Sequence, residues 1–414
     1  MIYNKYKYFF YMRNIIFTIF LFLNPCLLKS QEVYSIDLIS DISIHNSSLN
    51  AKTILNSLAY IDENQKQAIL RNINDENFFY ANLNNEIKLT SKKGYSISYG
   101  TSLTSHAIFN NDLVRLALYG NASSTPQSLS LTPFEALLYH YSSITLGYNF
   151  SENFSTSVSL ISGHNFLSTE FSEFDYNSGE NGQFISYDLA FDLIENINLS
   201  GFVNNGSSQF ENKSLADFFS GRGSGLSVGF NYKFKINDGI CNLSVNDLGY
   251  IIWDSPKPNS YSLEVSDIIT PLEVNDFSDI GPNFFTAELD TLRDIMNKSN
   301  ESYKFILPAL INGYFKKEIT NNKHADAYTI SLAHKIGIYP IPRVSIDFHK
   351  KITQHEFVLG YHFGGLERNG LQFKYYIQMD DFHLELFTKQ ANILNLNSVY
   401  GLNIGLGIKY FLDN

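Results

Sequence analysis

The side chains in this sequence that could carry out chemistry are plentiful but poorly spaced for it. Ten histidines are present. Neither an HExxH pair, nor paired cysteines, nor a carboxylate cluster accompanies His349 and His355, which flank a turn, or His362 and His383, so no metal centre is expected. A hydrolytic triad needs Ser, His and an acid brought together, and serine is so common here that some pairing exists by number alone. Gly221, Gly223 and Gly225 form a GxGxG string, but it runs into a strand pattern instead of opening a helix, which is the wrong context for a phosphate cradle. What remains is a polar set near the C-terminus that alternates with apolar residues: Glu356, His362, Gln372, Lys374, Glu385 and Lys409. Mixed in sign, these groups are costly in a dry core unless they pair. They suit the lining of a hydrated passage. No catalytic residue, metal or cofactor is expected, and the chain reads as a non-enzyme.

Strands must position such a lining. In LQFKYYIQM, Leu371, Phe373, Tyr375, Ile377 and Met379 take one face while Gln372, Lys374, Tyr376 and Gln378 take the other, a period of two residues. Phe357, Leu359, Tyr361 and Phe363 alternate in the same way with Glu356, Val358, Gly360 and His362. Leu402, Ile404, Leu406, Ile408 and Tyr410 do so in the closing segment. Each run has about nine to eleven residues, the length a tilted strand needs to cross a bilayer. Strands survive in lipid only when they close on themselves, because an open edge leaves backbone groups without partners. The expected fold is therefore an all-β membrane protein, a single antiparallel transmembrane β-barrel of about fourteen strands within a bracket of about twelve to sixteen. An aromatic content of 15%, nearly all Phe and Tyr, and a charged content of 17% fit a lipid-facing surface.

The N-terminus supplies an address. Lys5, Lys7 and Arg13 precede an apolar run from Ile15 to Leu23, followed by a more polar stretch to Ser30, which is the layout of a secretory signal peptide over residues 1–30. The run is short for a membrane anchor. Losing this segment removes four cations and no acid, taking the formal charge from −11 to −15. An acidic chain argues against nucleic acid as a partner. Cys26 would leave with the leader, so Cys241 stands alone and no intramolecular disulfide is expected; beside Leu243 and Val245 it suits a lipid-facing or packed position.

Along the chain, residues 31–75 read as a periplasmic helical segment or plug, with Ile54, Leu58 and Ile61 at helical spacing. Residues 76–414 read as the barrel. Strand rhythm is expected near Tyr95–Thr101, over Leu113–Gly120, Leu138–Phe150 and Phe154–Ser162, and at Ile185–Phe191. A solvated loop is expected after Gly163, where Glu170, Glu173 and Asp175 gather. A clean strand follows from Leu226 to Phe234. In ICNLSVNDLGYIIW the apolar phase shifts, which predicts a bulge near Asn246 and Asp247, with Asp247 bonding backbone and Trp253 anchoring at an interface. Four prolines between Asp254 and Ser302 predict an elaborated loop over 254–302, with a short helix in AELDTLRDIMN.

The stretch SGRGSGLSVGFNYKFKINDGICNLSVNDLGYIIW, with Asp247, Gly249 and Trp253 as its specific core, resembles a family of Bacteroidota outer-membrane barrels of unknown function. SYKFILPALINGYF and LNIGLGIKYF agree with that resemblance. The family is in turn similar to barrels that carry hydrophobic solutes and to barrels serving type IX secretion, and it offers no catalytic motif. Two functions follow as expectations. One is passive transport of small or hydrophobic solutes across the outer membrane; the other is a non-transporting scaffold, or secretion-associated barrel, that docks a protein partner. The polar inner face fits the first. Both need the same lipid-facing pattern, with outer-membrane lipid as the surrounding partner.

Overall fold

The computed structural model describes residues 33–50, 62–119, 127–179, 185–197, 218, 220–269, 296–320, 322–366, 369–389 and 400–412. In chain order the strands are β1 (Val33–Asn46), β2 (Glu76–Ser91), β3 (Tyr95–Asn110), β4 (Gln127–Ser130), β5 (Phe134–Asn149), β6 (Phe154–Ser178) and β7 (Ile185–Glu195). There follow β8 (Gly223–Ile236), β9 (Gly239–Trp253), β10 (Asn259–Ile269), β11 (Asn297–Ser299), β12 (Tyr303–Ile306), β13 (Leu310–Glu318) and β14 (Ala327–Lys335). The last five are β15 (Arg343–Ile352), β16 (His355–Phe363), β17 (Asn369–Gln378), β18 (Phe382–Thr388) and β19 (Gly401–Phe411). Two helices, α1 (Glu63–Asn72) and α2 (Asn111–Tyr119), lie between strands.

Every pairing is antiparallel, and the pairings run β1, β2, β3, β5, β6, β8, β9, then β12 and β13 as one stave, then β14 to β19 and back to β1. The result is a closed barrel of 14 staves. Ile36 opposite Tyr410 and Ile44 opposite Leu402 mark the closing seam. Connections on one rim are tight apart from the eight residues between β13 and β14. Asn237 (φ 51°) and Thr353 (φ 54°) each open a two-residue hairpin in the left-handed backbone region that such turns require, and Gly94 (φ 84°) closes a third turn. The opposite rim carries the long connections.

Apolar side chains face outward as an exposed band, including Leu38, Ile42 and Ile44 on β1, Leu226, Phe230 and Tyr232 on β8, and Leu371 and Phe373 on β17. An exposed apolar band of this extent is not tolerated in water and marks a surface built for lipid. Among the described residues no helix is long and apolar enough to cross a membrane.

The secondary structure departs from expectation in five places. Residues 33–46 are not part of a periplasmic helical segment or plug: they form β1, a stave of the wall, whose alternation of Ile36, Leu38, Ile42 and Ile44 was masked by the extra apolar Ile39. Residues 62–73 do hold a helix, capped by Asp62 and Gln65 in a reciprocal box, but it packs on α2 at the rim of long connections. There Tyr119 donates to Glu63 at 2.8 Å, which holds that carboxyl below its ordinary range, and Lys66 sits over the Tyr119 ring. The helical spacing from Ile54 to Ile61 lies outside the described residues.

The run from Leu113 to Tyr119 is part of helix α2 instead of strand, and Gly120 lies outside the described residues. Asn110 accepts from the Leu113 amide as its cap, and Leu113 and Leu116 pack on Leu129, Leu131 and Tyr176. The solvated loop expected after Gly163 is the upper half of β6, which continues past the barrel wall to pair with β7. Within the expected loop at 254–302, NSYSLEVSDII forms β10 against β7, because its alternation outweighs the prolines that precede it. Together β6, β7, β10 and β11 raise a small sheet above the long-connection rim. The helix expected in AELDTLRDIMN lies almost entirely outside the described residues.

Candidate lumenal site

Antiparallel register carries one face of a strand onto the same face of its neighbour, so alternation in sequence becomes a lining in space. Opposite the exposed outer band, the inner wall holds Glu356, His362, Gln372, Lys374, Glu385 and Lys409, and pairing draws three of these six, Glu356, Gln372 and Lys374, into polar clusters. Buried Asp347 accepts from the Gln372 amide and lies 3.5 Å from the Lys374 ammonium, while Arg343 donates to Gln372 at 2.5 Å. Glu356 meets His349 at 2.7 Å and Lys316 at 3.8 Å, and the other His349 ring nitrogen bonds Thr329 at 2.8 Å. Two others join separate partners: Glu385 accepts from Tyr376, and Lys409 lies 3.5 Å from Asp37 across the seam. His362 is fully buried opposite Ser345 and Gly370. Below this network, in the turn before β14, Asp326 accepts from the Lys351 amide and the Lys350 ammonium, which hold its carboxyl below the ordinary range.

Higher in the lumen the side chains become aromatic. Tyr139, Phe166, Ile251, Trp253, Phe305 and Leu307 form one buried cluster with Ile161. Tyr139 and Phe305 come from strands four staves apart, yet their ring centroids lie 4.9 Å apart. Trp253 is fully buried in this cluster against Phe166, so it does not anchor at an interface. The indole fits because β6 and β8 present glycines beneath it: a methyl at Gly163 would stand 2.5 Å from the ring and one at Gly223 2.8 Å.

The expected bulge is present. Val228 pairs with Leu248 and Phe230 with Val245, leaving Asn246 and Asp247 opposite Gly229, and Asp247 adopts φ 59°, a conformation that Asp tolerates better than most residues. Gly249 is required by close backbone approach, since a methyl there would overlap Leu226 and Ser227. Beside it, the Leu307 amide donates to the Gly249 carbonyl at 3.0 Å.

The sequence matches a family described only as one of unknown function over residues 27–408. The chain belongs to the DUF5723 family. A search of curated proteins finds no match. Among solved structures, this DUF5723 chain is similar to a FadL homologue of Pseudomonas aeruginosa at 9% identity, covering 93% of this chain and 92% of that one with a TM-score of 0.38. It is also similar to the toluene transporter TbuX of Ralstonia pickettii at 9% identity, covering 92% and 89% with a TM-score of 0.34. The translocator domain of the autotransporter NalP from Neisseria meningitidis matches at 4% identity, covering 96% of each chain with a TM-score of 0.30.

One feature of the DUF5723 lumen was invisible in the sequence. Lys335 at the end of β14 donates to the Tyr80 phenol of β2 at 3.5 Å, across a sequence separation of 255 residues. These two staves are diametrically opposed, seven pairings apart by either route round the ring. Ile338, Tyr339 and Leu366, from the connections after β14 and β16, pack against Tyr80 and Phe78. The two walls therefore meet through side chains at the long-connection end of the lumen. No spacing rule joins residues so far apart.

Proposed function

We propose that this barrel resides in the outer membrane, exported by a cleaved signal peptide over residues 1–30, and provides passive passage for small or hydrophobic solutes. Tight turns on one rim and long connections on the other support an orientation with the turns in the periplasm. The observation that carries the reading is the inner wall of mixed charge, in which Lys374 and Lys409 remain 30% and 37% exposed although each lies 3.5 Å from a carboxylate. Such a wall is stable when hydrated and costly when dry. A second reading, a scaffold that docks a protein partner, is favoured by the contact between Lys335 and Tyr80 and by the sheet raised on β6, β7 and β10.

Liposome swelling separates the two. The purified barrel should admit a small neutral solute, and Tyr80→Ala, which shortens the side chain bridging the lumen, should admit it faster. Negligible flux through both folded proteins would establish the scaffold reading instead.

A further inference from the structure

The ammonium of Lys335 is held inside the lumen with little to neutralise it. Its hydrogen bond to Tyr80 is long, at 3.5 Å, and among the described residues no carboxylate lies within ion-pair distance of it. The phenols of Tyr139, Tyr141 and Tyr339 lie within electrostatic range of the same ammonium, and its nitrogen stands 5.9 Å from the centroid of the Tyr80 ring. Tyr80 and Tyr139 are 4% and 2% exposed, so these rings are fixed by packing on both sides of the lumen. Asp247 faces this group from the bulge of β9 without touching it. An ammonium in such surroundings has donors to spare and too little water to fill them.

We propose that Lys335, with Tyr80, Tyr139, Tyr141 and Tyr339, forms a binding site for an organic monoanion, a carboxylate carried on an apolar or aromatic body. A carboxylate would take charge-assisted hydrogen bonds from the ammonium and phenols, which are stronger than neutral ones. The body would lie against the rings, and Tyr139 continues directly into the Phe305 and Trp253 cluster. A single ammonium matches a single negative charge, so one carboxylate is favoured over two. This deepens the passage reading by naming the class of solute held in the lumen, and it rests on that reading only for how the solute arrives.

The test uses the full barrel in lipid nanodiscs, with benzoate as the anionic probe and benzyl alcohol and benzylammonium as neutral and cationic counterparts. Binding is measured by calorimetry, and Trp253, the single tryptophan of the chain, reports through its fluorescence whether the probe sits beside the aromatic cluster. Benzoate should bind saturably and at least about tenfold more tightly than either counterpart, and Lys335→Met should weaken it by about tenfold or more while Lys335→Arg retains it. Equal affinity for the three probes, or an unchanged benzoate affinity in folded Lys335→Met, would overturn the site. If Lys335→Met does not fold, the comparison of probes on the native barrel decides alone. Benzoate binding without solute flux would remove the passage reading and leave the site, whereas flux without preference for benzoate would do the reverse.

Discussion

Phe373 and Lys374 are consecutive residues of β17 that face opposite solvents, and the difference between them is a direct measure of the face assignment. Phe373 belongs to the exposed apolar band, whereas Lys374 reaches toward Asp347 inside. Phe373→Arg should cost about 2–4 kcal/mol where the side chain meets the bilayer midplane, while Lys374→Arg keeps its charge and its hydrated setting and should be nearly neutral. Equilibrium unfolding in lipid vesicles measures both, and equal costs would contradict the assignment of faces. These residues could be read from sequence because alternation in a strand is local. Lys335 could not. It ends a run, AYTISLAHKI, whose inward members Thr329 and Ser331 are unremarkable, and its partner Tyr80 becomes a neighbour only when the ring closes.

At the scale of elements, the wall formed by β6, β8 and β9 bends around one indole. Gly223→Ala would bring a methyl against both Trp253 and Ile251 and should cost about 1–3 kcal/mol by overpacking. Trp253→Ala should cost about 3–5 kcal/mol through the cavity it leaves. In the double variant the new methyl enters the space the ring vacated, so the costs should fall short of additive, and unfolding of the three proteins in vesicles tests this. Full additivity would mean that the ring and the glycine do not share that space. The bulge at Asn246 and Asp247 was legible because it breaks a local rhythm. The strand in β10, the upper half of β6 and the helix α2 were not: in each the deciding term is a tertiary partner, β7 for the first two and Leu129 with Leu131 for the helix.

For the molecule as a whole, the proposed cleavage of residues 1–30 is directly testable. The mature protein should start near Gln31, and mass spectrometry of barrel purified from outer membranes should find that terminus; an intact Met1 or Met12 would contradict cleavage. A boundary there leaves β1 nearly at the start of the mature chain, which changes what its removal would do, since deleting residues 31–75 takes out a stave and would not unplug a pore. Closure was legible as a physical necessity in lipid, whereas the identity of the strand that completes it was hidden by the weak pattern around Ile39. The seam also fixes an order of events. Asn403 of β19 bonds Ser43 of β1 across a separation of 360 residues, so the seam joins the two ends of the described barrel, and β1 keeps one flank unpaired until β19 arrives. Contact order this high makes assembly slow and leaves an aggregation-prone edge waiting. Such a chain cannot cover its first edge until its last strand is available.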